Sequence, residues 1–215
     1  MRLSKRLQTI SSMINTDGKI YDVGCDHAYL DIYMAGLGYN CVAIDVRNSV
    51  IENAKKNVAQ SGFQNKIEVV LNDGLEDITI DENSIVVLSG LGTRTILKII
   101  DDKRIKQIII QSNDDLYLLR KTMMERGYSI INEKIIFEDN KYYVIINFEI
   151  GYVTYSDTEL LLGPILLQNK DKIFINYLKT KFEHLNRVLS KVPEQYNYRK
   201  KQIEKTIEQI KTALN

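Results

Sequence analysis

The chain has 215 residues, 44% of them apolar and 27% charged, with a net charge of +1 and two cysteines. That balance fits an ordinary globular chain with room for one α/β domain and an extension. It excludes a membrane span, a secreted disulfide framework and a zinc site. No run reaches the roughly 18–20 apolar residues needed to cross a bilayer, no apolar signal-peptide core follows the basic start, and Cys25 and Cys41 lack partners at ligand spacing. The expectation is a cytoplasmic protein with no metal and no membrane partner. Ser4 caps a helix over 4–14, with Leu3, Leu7, Ile10 and Ile14 at helical spacing. Asp17-Gly18 is a turn. A strand over 19–23 ends in Asp22-Val23-Gly24 and feeds a helix over 28–37, closed at Gly36 or Gly38. A second strand, 40–44, ends at Asp45. A helix over 49–60 turns Val50, Ala54 and Val58 inward and stops at Gly62.

The third strand, 66–71, runs into Asn72-Asp73-Gly74. The fourth, 85–88, is continuously apolar, as a strand covered on both faces should be, and gives way to Ser89-Gly90-Leu91-Gly92. A helix follows over 93–100. The fifth strand, 107–110, leads into Gln111-Ser112-Asn113, and Asp114 or Asp115 caps a helix over 116–126 that ends at Gly127. Two β runs, 128–137 and 142–149, flank Asp139-Asn140 as an antiparallel hairpin. Five strands alternating with helices, then a hairpin, predict a parallel, doubly wound sheet with one antiparallel strand.

Composition shifts near Gly151, so the expected division is a Rossmann-like domain over 1–152 and a helical extension over 153–215, punctuated by Gly163-Pro164. In the extension Phe174, Leu178, Phe182, Leu185 and Leu189 share one helical face. After Pro193, Ile203, Ile207, Ile210 and Leu214 do the same. The two segments predict a helical hairpin of coiled-coil character. Residues 151–215 hold eleven Lys/Arg and seven Asp/Glu, a net +4, which leaves −3 for 1–150. A basic extension suits nucleic acid, and it equally suits a solvated helical surface.

Four polar features fall at the ends of four predicted strands: Asp22 with Gly24, Asp45, Asn72-Asp73-Gly74, and Ser89-Gly90. In doubly wound sheets that edge holds a nucleotide-like ligand. Asp45 follows Gly24 by 21 residues, near the spacing of an acidic residue that accepts from ribose hydroxyls. The loop lacks Gly-x-Gly-x-x-Gly, and Asp26 would repel a pyrophosphate. An adenosine cofactor without phosphate fits better, and S-adenosylmethionine (SAM) is the expected one. Asn72 and Asp73 would then edge the adenine.

At this point the chain resembles the bacterial tRNA (adenine-22-N1)-methyltransferases. The matching residues are Leu3-Ser4-Lys5-Arg6-Leu7, then Asp22-Val23-Gly24-Cys25-Asp26-His27-Ala28-Tyr29-Leu30. Asp73-Gly74-Leu75, Gly90-Leu91-Gly92, Gln111-Ser112-Asn113 and Gly163-Pro164 follow in order, over nearly the whole chain. The run from Gly24 through Asp26-His27-Ala28-Tyr29-Leu30 is the most specific. The family usually carries serine where this chain has Cys25, proline at Asp31, glycine at Thr93 and at Asn72, and Gly-Glu at Ile44-Asp45. The resemblance implies a class I SAM-dependent methyltransferase domain that methylates N1 of an adenine in tRNA, adenine 22 of the D-arm. The partner is then tRNA, and the protein a monomer or weak dimer.

Methyl transfer mainly requires that nucleophile and methyl be held in line. Adenine N1 offers an in-plane lone pair, and its alkylation places positive charge on the ring. A carboxylate beside the base would stabilise that charge. Asp26 is the candidate, and it would afterwards accept a 6-amino proton; the competing role is a helix cap. His27 either contacts the base or cofactor, or orients the loop. Enzymes that act on the 6-amino nitrogen carry Asn/Asp-Pro-Pro-aromatic after strand four; this chain has Ser89-Gly90-Leu91-Gly92 there, and only Pro164 and Pro193 as prolines. The expected site is therefore Asp26 and His27 for chemistry, and Asp22, Gly24, Asp45, Asn72, Asp73, Gly74 and Gly90 for the cofactor. Arg6, Tyr29, Gly92, Gln111 and Asn113 are expected to meet the base. For Tyr29 the alternative is a core position, and for Gln111 and Asn113 a loop role. Lys170, Lys172, Lys179, Lys181, Arg187, Lys191, Arg199, Lys200 and Lys201 would meet tRNA phosphates. Two other functions compete: methylation of another RNA, a small molecule or a protein, and a silent RNA-binding module on the same fold.

Overall fold

Continuous apolar runs make the central strands of this molecule, because a parallel strand has helices against both faces. In the computed structural model, which describes residues 3–101 and 103–215 except the Glu194 side chain, these are β1 (Ile20–Val23), β2 (Cys41–Asp45), β3 (Ile67–Leu71), β4 (Ile85–Leu91) and β5 (Gln107–Ser112). With β6 (Tyr128–Glu138) and β7 (Lys141–Ile150) they form one seven-stranded sheet in the order 3-2-1-4-5-7-6. All neighbours among the first five are parallel, and β7 is antiparallel to both β5 and β6. The expected parallel sheet with one reversed strand is what forms. β1 is flanked by β2 and β4, so the strand order reverses there and the switch point lies at the C-terminal end of β1.

The strands alternate faces. Ile20, Cys41, Ala43, Ile85, Val87, Ile109 and Ile145 join one core with Ile10, Leu30, Met34, Ile51, Ala54 and Val58. Those last six come from α1 (Lys5–Ser11), α2 (Tyr29–Gly36) and α3 (Asn48–Ser61), and α2 touches both α1 and α3. Val86, Leu88, Ile108 and Ile110 are equally buried and point the other way. Of the remaining sheet helices, α4 (Thr93–Ile99) packs on β4 and on α5 (Leu116–Glu125), which packs on β6. Helix ends follow local chemistry. The Ser4 hydroxyl accepts from the Leu7 amide, the Asp115 carboxylate from Leu118, and Gly62 ends α3 with φ +80°. Asp114, an alternative cap for α5, caps α4 instead: Oδ1 accepts from the Thr93 amide at 2.7 Å.

Two differences from the sequence expectation bear on the site. β4 runs past Leu88 to Leu91, and β5 past Ile110 to Ser112. Pairing continues through Ser89 to Gln111 and Leu91 to Ser112, with a bulge at Gly90, φ +80°. Ser89, Gly90 and Gln111 therefore stand on strands rather than in loops. The first helix is also shorter than 4–14, because Ser12 to Ile14 leave it by a tightening turn.

The chain divides into two compact units, one through Thr154 and one over Tyr155–Asn215. The second holds α6 (Asp157–Leu162), α7 (Pro164–Asn169), α8 (Lys172–Leu189) and α9 (Asn197–Leu214). α8 and α9 pack on each other as a hairpin, burying Phe174, Leu178, Ile210 and Ala213. The short helices α6 and α7 were not expected. Ser156 and Glu159 form a capping box that starts α6, and Pro164 occupies the first turn of α7. Gln209 Nε2 donates to Thr158 Oγ1 at 2.9 Å, and Lys205 pairs with Asp157, which fastens α9 to α6. No helix among the described residues is long and apolar enough to cross a membrane.

Candidate functional site

The turn after β1 is tightly held. Gly24 and Cys25 both donate to the Ile44 carbonyl, at 2.8 and 3.0 Å. Gly24, Asp26 and Ala28 all have positive φ, +84°, +50° and +56°. Glycine adopts this region freely; a residue with a Cβ does so at a cost of roughly 1–2 kcal/mol. Asn57 Nδ2 pins the turn from α3 by donating to the His27 carbonyl at 3.0 Å. Ala28 is the N-cap of α2 and no side chain caps it. Asp26 is thus not a helix cap. Its side chain is 68% exposed, with Oδ2 3.9 Å from His27 Nε2. The His27 ring stacks on Tyr29 at 5.3 Å. Tyr29 is exposed, not a core residue.

Beneath this turn lie buried carboxyls. Asp22 and Asp45 are each about 95% buried at neighbouring strand ends. Burial pushes the Asp22 carboxyl up to about 7; a hydrogen bond with Asp31 and the Arg6 charge oppose the shift, and Asp45 and Asp26 reinforce it. Arg47 forks onto Asp45, with Nε on Oδ1 at 3.1 Å and an Nη on Oδ2 at 3.2 Å, while its amide also donates to Oδ1 at 2.9 Å. Past β3, the Asn72 amide donates to the carbonyls of Gly74 and Glu76, so this side chain shapes its own turn. A Cβ on Gly74 would come within 2.9 Å of Ile99, which makes that glycine a packing requirement. Asp73 is exposed.

The other half of the edge is a side-chain network. Arg6, from α1, donates to Gln111 Oε1 at 2.9 Å and to Ser89 Oγ at 3.4 Å. Gln111 Nε2 donates to Asn113 Oδ1 at 3.1 Å, and Asn113 Nδ2 to the Gly90 carbonyl at 2.7 Å. A Cβ on Gly90 would stand 3.1 Å from the Arg6 guanidinium, so the bulge leaves the space that Arg6 uses. Gly92 lies against the Asp114 carboxylate, whose acidity is strengthened by the Thr93 amide. Four of the five residues expected at the base, Arg6, Gln111, Asn113 and Gly92, thus lie around the ends of β4 and β5. Tyr29 sits instead on the β1 turn with Asp26 and His27.

Several contributors had no signal in a motif. Glu138, at the tip of the β6–β7 hairpin, accepts from the amides of Lys5 and Arg6 at 2.6 and 3.1 Å. The Tyr143 ring lies 5.7 Å from the Arg6 guanidinium carbon. Together they hold α1 where Arg6 reaches the site. Asp31 was readable only as an acidic residue on the helical face of Ala35, the face that turns inward. Among the described residues no cluster of His, Cys, Asp and Glu could hold a metal ion.

A strand-ending turn over buried carboxyls beside a bulged strand and a guanidinium–amide network suits a cationic nucleoside cofactor facing a flat base. Comparisons with known proteins agree. A family model described as tRNA (adenine(22)-N(1))-methyltransferase matches residues 20–212. The tRNA (adenine(22)-N(1))-methyltransferase of Bacillus subtilis is 29% identical over 208 residues, which span 90% of this chain and 87% of the relative. The structure of M. capricolum TrmK with S-adenosyl-homocysteine is 30% identical with a TM-score of 0.89, covering all of this chain and 98% of that one. The structure of the B. subtilis m1A22 tRNA methyltransferase has a TM-score of 0.88 at 27% identity, covering all of this chain and 99% of that one. The fold is the Rossmann-like one of the class I SAM-dependent methyltransferases, and the chain belongs to the tRNA (adenine(22)-N(1))-methyltransferase family.

Proposed function

We propose that this protein methylates N1 of adenine 22 in tRNA, using SAM, with the two halves of the sheet edge dividing the work. One observation carries the assignment. The β1–β3 half presents carboxylates, and the β4–β5 half presents a guanidinium, amides and a hydroxyl around a bulge. SAM, when bound, supplies an electrophilic methyl on a sulfonium cation. The carboxylates of Asp22, Asp45 and Asp73 suit that cation and its ribose hydroxyls, Gly24 and Gly90 let backbone come close, and Asn72 and Gly74 shape the turn beside the adenine. Asp45 can trade the exposed Arg47 fork for hydroxyl donors, since Arg47 lies largely in solvent.

Asp26 and His27 project from the strained turn and carry the chemistry. Asp26 stabilises positive charge on the adenine ring as N1 is alkylated and accepts a 6-amino proton afterwards. Arg6, Gln111 and Asn113 offer donors and acceptors to the base edge, Gly92 leaves room for the ring, and Tyr29 stacks on it. Adenine 22 lies within a folded tRNA, so swinging it out costs a few kcal/mol. The helical unit over Tyr155–Asn215 supplies phosphate contacts. Lys170, Lys172, Lys179, Arg187, Lys191, Arg199 and Lys201 are exposed there, with Lys181 and Lys200 half-buried. Such contacts make affinity fall steeply with salt. The protein works in the cytoplasm as a monomer or weak dimer, which light scattering would check. The deciding experiment is mass spectrometry of unmodified tRNA treated with protein and SAM. N1-methyladenosine mapped to position 22 is expected; methylation of another nucleoside, or none, would refute the assignment.

A further inference from the structure

Asp31 has no evident reason to be where it is. It stands in the first turn of α2 with 0% of its surface exposed, and neither carboxyl oxygen accepts a hydrogen bond from a donor of good geometry. A buried carboxylate without donors is strongly disfavoured, so the group holds its proton. The Asp22 carboxyl lies within hydrogen-bonding contact of it. Two carboxyls can pair only when one carries a proton. Burial and the Asp22 charge both push Asp31 well above the ordinary carboxylate range, and burial pushes Asp22 up to about 7. The pair therefore holds two protons below that pH and one above it.

The charged groups around the pair are few. Arg6 from α1 favours its ionisation; Asp45 from β2 and Asp26 from the turn oppose it. The thiols of Cys25 in the turn and Cys41 on β2 are pushed far up by burial and stay neutral, with Cys41 Sγ donating to the Asp31 carbonyl at 3.6 Å.

We propose that Asp31 is a positioning residue: the proton it holds orients the Asp22 carboxylate at the cofactor side of β1, and binding of the cationic cofactor expels the second proton of the pair. The proposal rests on Asp22 facing the cofactor. The proton balance is simple: the doubly protonated pair loses one proton to solvent, and the remaining one stays between Asp31 and Asp22.

The test is calorimetry of SAM binding at pH 6, 7 and 8 in buffers of different ionisation enthalpy. Proton release is expected below pH 7, with affinity rising by up to ~tenfold per pH unit until Asp22 is ionised. In Asp31→Leu the Asp22 carboxyl loses its donor, so the rise in affinity and the proton release should both move to higher pH, and Asp31→Asn, which keeps a donor, should restore the native profile. Binding by the native protein without proton release, or the native pH profile in Asp31→Leu, overturns the proposal. If none of the three proteins binds SAM, the cofactor assignment fails instead. The pair is then decided by the aspartate carboxyl resonances of the native protein. One titrating near 7 upholds it, and ordinary values for both carboxyls overturn it. Stability supplies a check without ligand. The folded pair binds more protons than the unfolded one between the ordinary carboxylate range and 7, so stability falls as pH rises across that window. Asp31→Asn removes one of the two raised carboxyls and should lessen that slope, and an unchanged slope counts against the pair.

Discussion

On the β1–β3 side of the sheet edge, the polar groups are carboxylates that belong to the strands and turns presenting them: Asp22, Asp26, Asp45 and Asp73. Their neighbours in space are close in sequence or one strand away, as with Arg47 on Asp45 and Asp31 on Asp22. On the β4–β5 side, Arg6 meets Gln111 across 105 residues, and Glu138 caps the helix that carries Arg6 across more than 130. The first half is assembled by the parallel register and the helices that directly follow β1 and β2. The second needs α1 docked on the β6–β7 hairpin. A local, acidic half suits a cationic cofactor.

That contrast can be broken, and the largest effect should come from beneath the hairpin. Arg120 on α5 and Glu133 on β6 are both buried and paired at 2.8 Å. Glu133→Ala would leave a buried guanidinium without that partner and cost about 3–5 kcal/mol of stability by urea unfolding. The loss should disorder the Arg6 side of the edge first. Asp26→Ala comes next. Turnover should fall by roughly 10²–10³ while calorimetry finds SAM affinity nearly unchanged, since Asp26 is exposed and its near partner is His27, itself partly exposed. Near-native turnover would remove Asp26 from the chemistry.

A cross-comparison of Arg6→Ala and Asp45→Ala sharpens the division. Each loses a charge-assisted interaction worth about 1.5–3 kcal/mol. The first should lower kcat/KM for tRNA far more than SAM affinity, which it touches only through the Arg6 charge near Asp22. The second should weaken SAM with the KM for tRNA intact. If both variants lose both properties equally, the halves are not separate. The smallest effect is expected at Glu138. Removing the α1 cap by Glu138→Ala should cost about 1 kcal/mol and lower kcat/KM for tRNA in the same sense as Arg6→Ala. Glu138→Gln keeps one acceptor and should recover part of it.

Much of the β1–β3 side was legible beforehand. Buried parallel strands read as apolar runs, and each ends where an acidic residue or glycine interrupts the run, so Asp22, Gly24, Asp45 and the Asn72–Gly74 turn could be placed on one edge. The roles within that edge were less legible. Asn72 and Gly74 matched a cofactor pattern, yet in the fold the amide braces its own turn and the glycine clears Ile99. The alternative of Asp26 as a cap was open because aspartate before a helix usually caps it. The left-handed turn instead gives that position to Ala28. Ser156-x-x-Glu159 was a legible start signal for α6, hidden by the short length of the helix it opens.

By itself the sequence determined the alternation of strands and helices, the parallel sheet they imply and the acidic residues ranged along its edge. These follow from periodicity, turn chemistry and the right-handed crossover, all of which act within a few tens of residues. Only the tertiary structure decided that β4 continues through a bulge at Gly90, that Arg6 fills the space beside it, that Glu138 and Tyr143 hold Arg6 there, and that Asp31 is sealed against Asp22. Each depends on which side chains burial forces together, and neither spacing nor propensity encodes a contact made when a first helix closes over the last hairpin.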